Sequence, residues 1–88
     1  MAARRRAVLS GAIRSVRVRS MSDASVEAVL ADGTGVATLV WLGREEVPGL
    51  VPGATVTIEG TVLDRHGRLV VLNPLYRFDP PAANSSTS

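Results

Sequence analysis

The chain has 88 residues and a mass of 9.2 kDa, which leaves room for a single small domain. Apolar residues make up 45% of the sequence and charged residues 20%, a balance typical of a folded domain rather than a disordered chain. The chain has no cysteine, no lysine and one histidine, which excludes disulfides, thiolate catalysis, Schiff-base chemistry and multi-histidine metal sites.

Positive charge is concentrated near the N-terminus, although the net charge of the chain is only +2. Residues 1–20 carry a charge of +6, whereas residues 21–88 carry −4. Such asymmetry is typical of a basic segment that contacts a polyanion, but an inert basic tail produces it as well. The arginines of the first segment are Arg4, Arg5, Arg6, Arg14, Arg17 and Arg19.

The N-terminal segment has the composition of a targeting signal but the alternation of a β-strand. No uncharged run reaches the ~18–20 residues that a transmembrane helix needs. Residues 1–22 are rich in arginine and serine and contain no acid, as in a transit peptide. However, apolar and basic residues alternate from Val16 to Arg19, as in a β-strand. We therefore expect this segment to belong to the fold, and we expect a cytoplasmic protein without a membrane partner.

Five stretches have the alternation or the β-branched composition of short strands. The apolar residues of the first stretch change parity between Ile13 and Val16, which predicts a β-bulge near Arg14 and Ser15. The predicted strands are Val8–Arg19, Ser25–Ala31, Val36–Leu42, Ala54–Leu63 and Arg68–Leu72, the last of which resumes at Leu75–Phe78.

Turns and one long loop separate these strands. Asp32–Gly35 and Asp64–Gly67 have the composition of tight turns. Gly43–Gly53 contains two Pro-Gly pairs and is expected to be a loop, in which Arg44–Val47 forms at most one short helical turn. The expected organisation is a mobile basic arm over residues 1–6, a folded domain over 7–78 and a disordered tail over 79–88.

The number and spacing of the strands favour an all-β fold in which the sheet closes on itself. A small barrel is expected because closure removes the exposed edges of a sheet. Gly11 lies inside the long first strand. A glycine there suits a strand that bends sharply and is shared by both sides of a barrel.

Five motifs follow one another between Val8 and Phe78. They are L-S-G-A-I-R-S-V (9–16), L-A-D-G-T-G (30–35), V-A-T-L-V-W (36–41), P-G-A-T-V-T-I-E-G-T-V (52–62) and G-R-L-V-V-L-N-P-L-Y (67–76). This ordered set resembles the OB-fold nucleic-acid-binding family. The last motif is most similar to the wedge domain of RecG-type branched-DNA helicases and to small stand-alone OB-fold proteins of high-GC bacteria. The resemblance implies a five-stranded Greek-key barrel that acts as a binding module.

The resemblance also implies a binding surface. OB-fold proteins bind nucleic acid across strands two and three, between the loop after strand one and the loop between strands four and five. Carried over to this chain, phosphates would be neutralised by Arg17, Arg19, Arg65 and Arg68, helped by the N-terminal arginines, and Thr38 would belong to the same nucleic-acid-binding surface. The same face would include Glu27, Val29, Val36 and Val40, and the flanking loops would be Met21–Ala24 and Arg65–Gly67.

Trp41 has two interpretations. It is a platform on which a base stacks if it is exposed, and a core residue if it is buried. The register that buries Leu39 also points Trp41 inward. Tyr76 and Phe78 are the other aromatic residues of the chain and come at the end of the domain. The expected binding face therefore consists of arginines and small aliphatic side chains.

Three classes of function follow from these residues. A nucleic-acid-binding module is expected first, with single-stranded DNA as ligand, then branched DNA, and with RNA left open. A protein-interaction or self-association module that uses the aliphatic face of strands two and three is the alternative. An enzyme is not expected, because His66 has no implied partner and Glu45 and Glu46 are merely adjacent in a loop. No catalytic residue, metal or cofactor is expected.

Overall fold

The computed structural model describes residues 3–20 and 23–78, and six β-strands make up most of this part of the chain. These described residues contain no helix, and thus none long and apolar enough to cross a membrane. The single helical turn that the sequence allowed at most over Arg44–Val47 is not formed. The strands are β1 (Ala3–Arg19), β2 (Ser25–Ala31), β3 (Val36–Leu42), β4 (Thr55–Arg65), β5 (Arg68–Leu72) and β6 (Leu75–Phe78).

The strands close into a ring. The order is β1-β2-β3-β5-β4, and β4 pairs back with β1. Neighbouring strands of the ring are antiparallel, except for β3 and β5, which are parallel. β6 adds to the ring by pairing with residues 56–59 of β4. The expected all-β class and the closed, barrel-like architecture are confirmed.

β1 is shared by both sides of the ring, because its N-terminal part pairs with β4 and its C-terminal part pairs with β2. The register with β2 shifts between Ile13 and Ser15, which confirms the bulge predicted around Arg14. Gly11 precedes this bulge, and a Cβ atom there would collide with the carbonyl oxygen of Ala31. The glycine is required because the backbones of β1 and the end of β2 approach each other closely.

The start of β1 corrects one prediction. Arg4, Arg5 and Arg6 were expected in a mobile arm, but β1 begins at Ala3 and its ladder with β4 includes all of them. These three arginines lack the alternation of apolar residues that predicts a strand from sequence. The charged run is compatible with a strand because the three arginine side chains are exposed. The tail expected over residues 79–88 lies outside the described residues.

The hairpin between β4 and β5 is tighter than expected. Its turn consists of His66 and Gly67, whose φ angles are +55° and +81°. A two-residue turn with both φ angles positive matches the twist of the flanking strands, so β4 continues to Arg65. The backbone N–H of Gly67 donates to Oδ1 of Asp64 at 3.1 Å. This geometry brings Arg65 and Arg68 directly opposite each other.

The turn between β2 and β3 is held by one carboxylate. Oδ1 of Asp32 accepts a hydrogen bond from the hydroxyl of Thr34 at 2.7 Å. It also accepts hydrogen bonds from the backbone N–H groups of Thr34 and Gly35, at 2.9 and 3.1 Å. These hydrogen bonds, that of the Thr34 hydroxyl foremost, lower the pKa of Asp32 below its ordinary value. The ionised side chain therefore stabilises the turn that sets the register of β2 and β3.

The hydrophobic core fills the inside of the ring. Leu39, Ile58 and Val71 are completely buried there and come from three different strands. The loop between β3 and β4 contributes Val47 and Leu50 to the same core. The Leu50 N–H donates to the Val47 carbonyl at 3.0 Å. This loop therefore covers the core although it contains no helix.

Candidate functional site

The outer face of β2, β3 and β5 is the surface on which most of the predicted site residues converge. Alternate residues of a strand point to opposite faces of the sheet. The buried Ala28 and Leu39 point inward, so their neighbours Val29 and Thr38 point outward and are only partly buried. The predicted orientation of these strands is thus confirmed.

Strand register aligns the outward side chains into rows. Val29 lies opposite Thr38, Thr38 opposite Val70, and Val70 opposite Leu63. A neighbouring row joins Glu27, Val40 and Leu72. Most of these side chains are aliphatic, and Leu72 is 43% exposed. We define the aliphatic floor as Val29, Val40, Leu63, Val70 and Leu72.

A groove on this face joins Arg17 of β1 to Arg68 of β5. Both residues line one concavity of about 380 Å³, and Thr38 and Glu27 line it as well. Arg17 and Arg68 belong to non-adjacent strands, and the register places two strands between them. The fold thus brings together three predicted site residues, Arg17, Thr38 and Arg68, around one groove.

Arg65 adds a further positive charge at the edge of this groove. It lies directly opposite Arg68 in the β4–β5 ladder, and both side chains are exposed. Like charges directly opposite each other in a ladder repel each other. Within the described residues, Arg17, Arg65 and Arg68 have no ion-pair partner. We call these residues the unpaired arginines.

Arg19 differs from the unpaired arginines. Its Nε lies 3.9 Å from Oε2 of Glu27, and the two side chains are 59% and 33% exposed. A surface ion pair of this kind contributes little to stability. It does, however, reduce the net positive charge that Arg19 presents to a ligand. Glu27, the acidic residue of the expected binding face, therefore lies beside Arg19.

Trp41 is a core residue, which corrects its inclusion among the site residues. Its side chain is 3% exposed, and its indole Nε1–H donates to the Pro74 carbonyl oxygen at 3.1 Å. The ring of Tyr76 packs against it edge-to-face at a centroid distance of 5.6 Å. A base has no access to an indole enclosed in this way. The inward orientation follows from the alternation that buries Leu39.

The other two aromatic residues also face the core. Tyr76 and Phe78 lie in β6, and both are partly buried against the core cluster. Their rings form a second edge-to-face pair, again with centroids 5.6 Å apart. All three aromatic residues of the chain are therefore engaged in packing. The outer face has no aromatic ring on which a base could stack.

Arg4 is a further basic residue of this surface, although the sequence placed it in a mobile arm that would help to bind phosphates. The β1–β4 register places Arg4 opposite Leu63, at the end of the row that crosses the aliphatic floor. Arg6, two residues along, lies 3.5 Å from Glu59 and is ion-paired. The alternation of Arg4, Arg6 and Val8 in one strand would have indicated this position, had the strand been extended to Ala3.

In the portion of the chain that the structure describes, no three His, Asp or Glu side chains lie close enough together to hold a metal ion. His66 is exposed in the hairpin turn. Met21 and Ser22, in the first predicted flanking loop, lie outside the described residues.

Comparison with known proteins gives no assignment. No protein-family model matches the chain, and no curated protein matches it. The feature with the most specific geometry is the groove between Arg17 and Arg68, which Glu27, Val29 and Thr38 also line and Arg65 borders.

Proposed function

We propose that this domain is a non-enzymatic OB-fold module that binds nucleic acid, single-stranded or branched DNA, mainly through phosphate contacts and with little sequence preference. An OB-fold is a five-stranded, partly open Greek-key barrel. The closed strand order, the bent β1 shared by both sides and the tight β4–β5 hairpin all support this proposal.

The observation that carries the functional proposal is the set of unpaired arginines. They are exposed, they lie on the face formed with β2 and β3, and two of them line one groove. Arginine forms bidentate hydrogen bonds with phosphate, and its charge does not titrate near neutral pH. Phosphate neutralisation of this kind supplies affinity without reading the bases.

The test is a titration of a fluorescently labelled single-stranded DNA of about 20 nucleotides, followed by anisotropy. The double variant Arg17→Ala/Arg68→Ala is expected to bind about tenfold more weakly than the wild type, to a similar degree for different sequences. The control is Arg44→Ala/Arg77→Ala, which removes the same charge from exposed arginines outside the groove. Equal losses of affinity in both double variants would mean that only the net charge of the protein matters, which would contradict the proposed site.

A second candidate function is a protein-interaction or assembly module on the same face. It is favoured by the exposure of aliphatic side chains there, since Val36 and Leu42 are each 54% exposed and Leu72 is 43% exposed. Contiguous exposed apolar side chains often mark a partner surface. Light scattering at high concentration distinguishes the two candidates. A strict monomer that binds DNA supports the first, and a self-associated species dissociated by Leu42→Glu supports the second.

A further inference from the structure

The N-terminal half of β1 has a free edge. β1 pairs with β4 through residues 3–12 and with β2 through residues 12–19, and β2 ends at Ala31, opposite Ala12. Among the described residues, no strand pairs with the second edge of residues 3–11. The ring therefore closes without using this edge, which lies where a longer β2 would continue.

The backbone groups on this edge follow from one hydrogen-bonded position. The Ile13 N–H donates to the Ala54 carbonyl oxygen at 2.8 Å, so Ile13 directs its backbone polar groups toward the side of β4. This direction alternates from one residue to the next along a strand, and the register of the β1–β4 ladder is continuous. Arg4, Arg6 and Val8 therefore direct their N–H and C=O groups away from β4, to the free edge.

These backbone groups are available to another strand. Within the part of the chain that the structure describes, no backbone group pairs with Arg4, Arg6 or Val8 on this edge. The three side chains are exposed, and that of Val8 is 63% exposed. An unpaired and regular edge is a template to which an extended peptide adds as a further strand.

The charge of the edge selects the partner. Arg4, Arg5 and Arg6 follow one another, and β1 contains no acidic residue. Arg6 lies 3.5 Å from Glu59, whereas Arg4 and Arg5 form no ion pair with another described residue. A second copy of β1 would bring two such runs together, and like charges on adjacent strands repel each other. Acidic side chains opposite Arg4 and Arg6 would instead be attracted to them.

The inner face of the edge favours an apolar contact. A cavity of about 140 Å³ lies between Leu9 and the turn that joins β2 to β3. Leu9 points to the inner face, because its ladder partner Ile58 is completely buried. An apolar side chain on the inner face of an added strand would lie beside this cavity. The cavity is lined by Leu9, Leu30, Val36 and Leu69, and also by Asp32 and Thr34 of the turn.

We propose that this edge of β1 binds an acidic, extended segment of a partner protein by strand addition. Acidic side chains of the segment lie opposite Arg4 and Arg6, and apolar side chains lie on the inner face. The edge is distinct from the groove between Arg17 and Arg68, so this interaction does not depend on nucleic-acid binding. The probe is a fluorescein-labelled peptide of about seven residues in which glutamate alternates with valine.

Two double variants that remove the same charge locate the binding site of the peptide by anisotropy. Arg4→Ala/Arg6→Ala is expected to bind the peptide about fivefold more weakly than the wild type. Arg17→Ala/Arg68→Ala should bind it within about twofold of the wild type, because the groove is not used. An equal loss in both variants, or a larger loss in the second, would mean that the groove holds the peptide as a polyanion and would overturn the proposal.

Two N-methylated isomers of the peptide test strand addition itself. One carries methyl groups on the glutamate amides and the other on the valine amides, so each isomer loses the hydrogen-bond donors of one edge only. The isomer whose methylated edge faces β1 should bind at least about tenfold more weakly than the parent peptide, and the other isomer within about threefold. Isomers of equal affinity would overturn strand addition, because their charge and composition are identical.

A proline at the edge gives the matching change in the protein. The N–H of Val8 points to the free edge, so Val8→Pro removes no hydrogen bond to β4 but blocks an added strand. This variant should bind the peptide at least about tenfold more weakly, and Val8→Ala, which keeps the N–H, within about threefold. Equal affinities of the two variants would contradict the proposal. A wild-type dimer in light scattering that Val8→Pro dissociates would assign the edge to a second copy instead.

Discussion

The inner and outer faces of β2, β3 and β5 are formed by alternate residues of the same strands, yet their side chains differ in burial. Leu39 and Val71 on the inner face are completely buried, whereas Leu72 on the outer face is 43% exposed. Exposed arginines border the outer face, and no acid among the described residues forms an ion pair with Arg17 or Arg68. The comparison indicates that the inner face determines stability and the outer face is free to determine binding.

The largest expected effect separates a leucine of each face. Leu39→Ala removes a fully buried side chain and leaves a cavity, so the free energy of unfolding should fall by about 3 kcal/mol. The matched variant Leu72→Ala, on the outer face of β5, should cost less than about 1 kcal/mol. Urea denaturation of both variants measures the difference. Similar losses for the two would break the distinction between the faces.

The next largest effect concerns the closure of the ring. Gly11→Ala introduces a Cβ atom where the Ala31 carbonyl lies, and the free energy of unfolding should fall by about 2 kcal/mol. Gly35→Ala is the control, since a Cβ atom at Gly35 meets open space. The midpoints of urea denaturation of the two variants measure the difference in their stability. A Gly35→Ala variant as unstable as Gly11→Ala would refute close strand approach as the reason for the glycine.

The smallest effect concerns the turn that joins the two central strands of the outer face. Hydrogen bonds to ionised Asp32 lower its pKa, so its contribution to stability is present above about pH 4 and is lost as the pH falls through the lowered pKa. Asp32→Asn should therefore lower Tm by about 1–2 °C at pH 7. The difference in Tm from the wild type should be smaller at pH 2.5 than at pH 7. Thermal unfolding of both proteins at the two pH values measures this difference in Tm. A difference that does not change with pH would contradict a stabilising role of the ionised Asp32 side chain.

Much of the fold was predictable because local patterns determine it. The parity change around Arg14 indicates the bulge, and the alternation through Leu39 indicates that Trp41 faces inward. The start of β1 was not predictable in the same way, because Arg4–Arg6 have no apolar alternation and are held in the strand by a distant partner, β4. Local sequence carries little information about a ladder between segments so far apart.

The candidate site was predictable only as a set of residue types. Arg17, Thr38 and Arg68 could be named from their strands, but their meeting in one groove depends on the parallel pairing of β3 with β5. The ion pair that distinguishes Arg19 from Arg17 depends on the position of Glu27 across the β1–β2 ladder. Both are long-range features of register that composition does not specify.

The measurement that tests the central claim most directly is the salt dependence of single-stranded DNA binding. If the three unpaired arginines each neutralise one phosphate, the logarithm of the affinity should fall against the logarithm of the salt concentration with a slope of about −2. In the Arg17→Ala/Arg68→Ala variant the slope should be about −0.7. A slope near zero in the wild type, or one that the double substitution leaves unchanged, would contradict phosphate binding by the outer face.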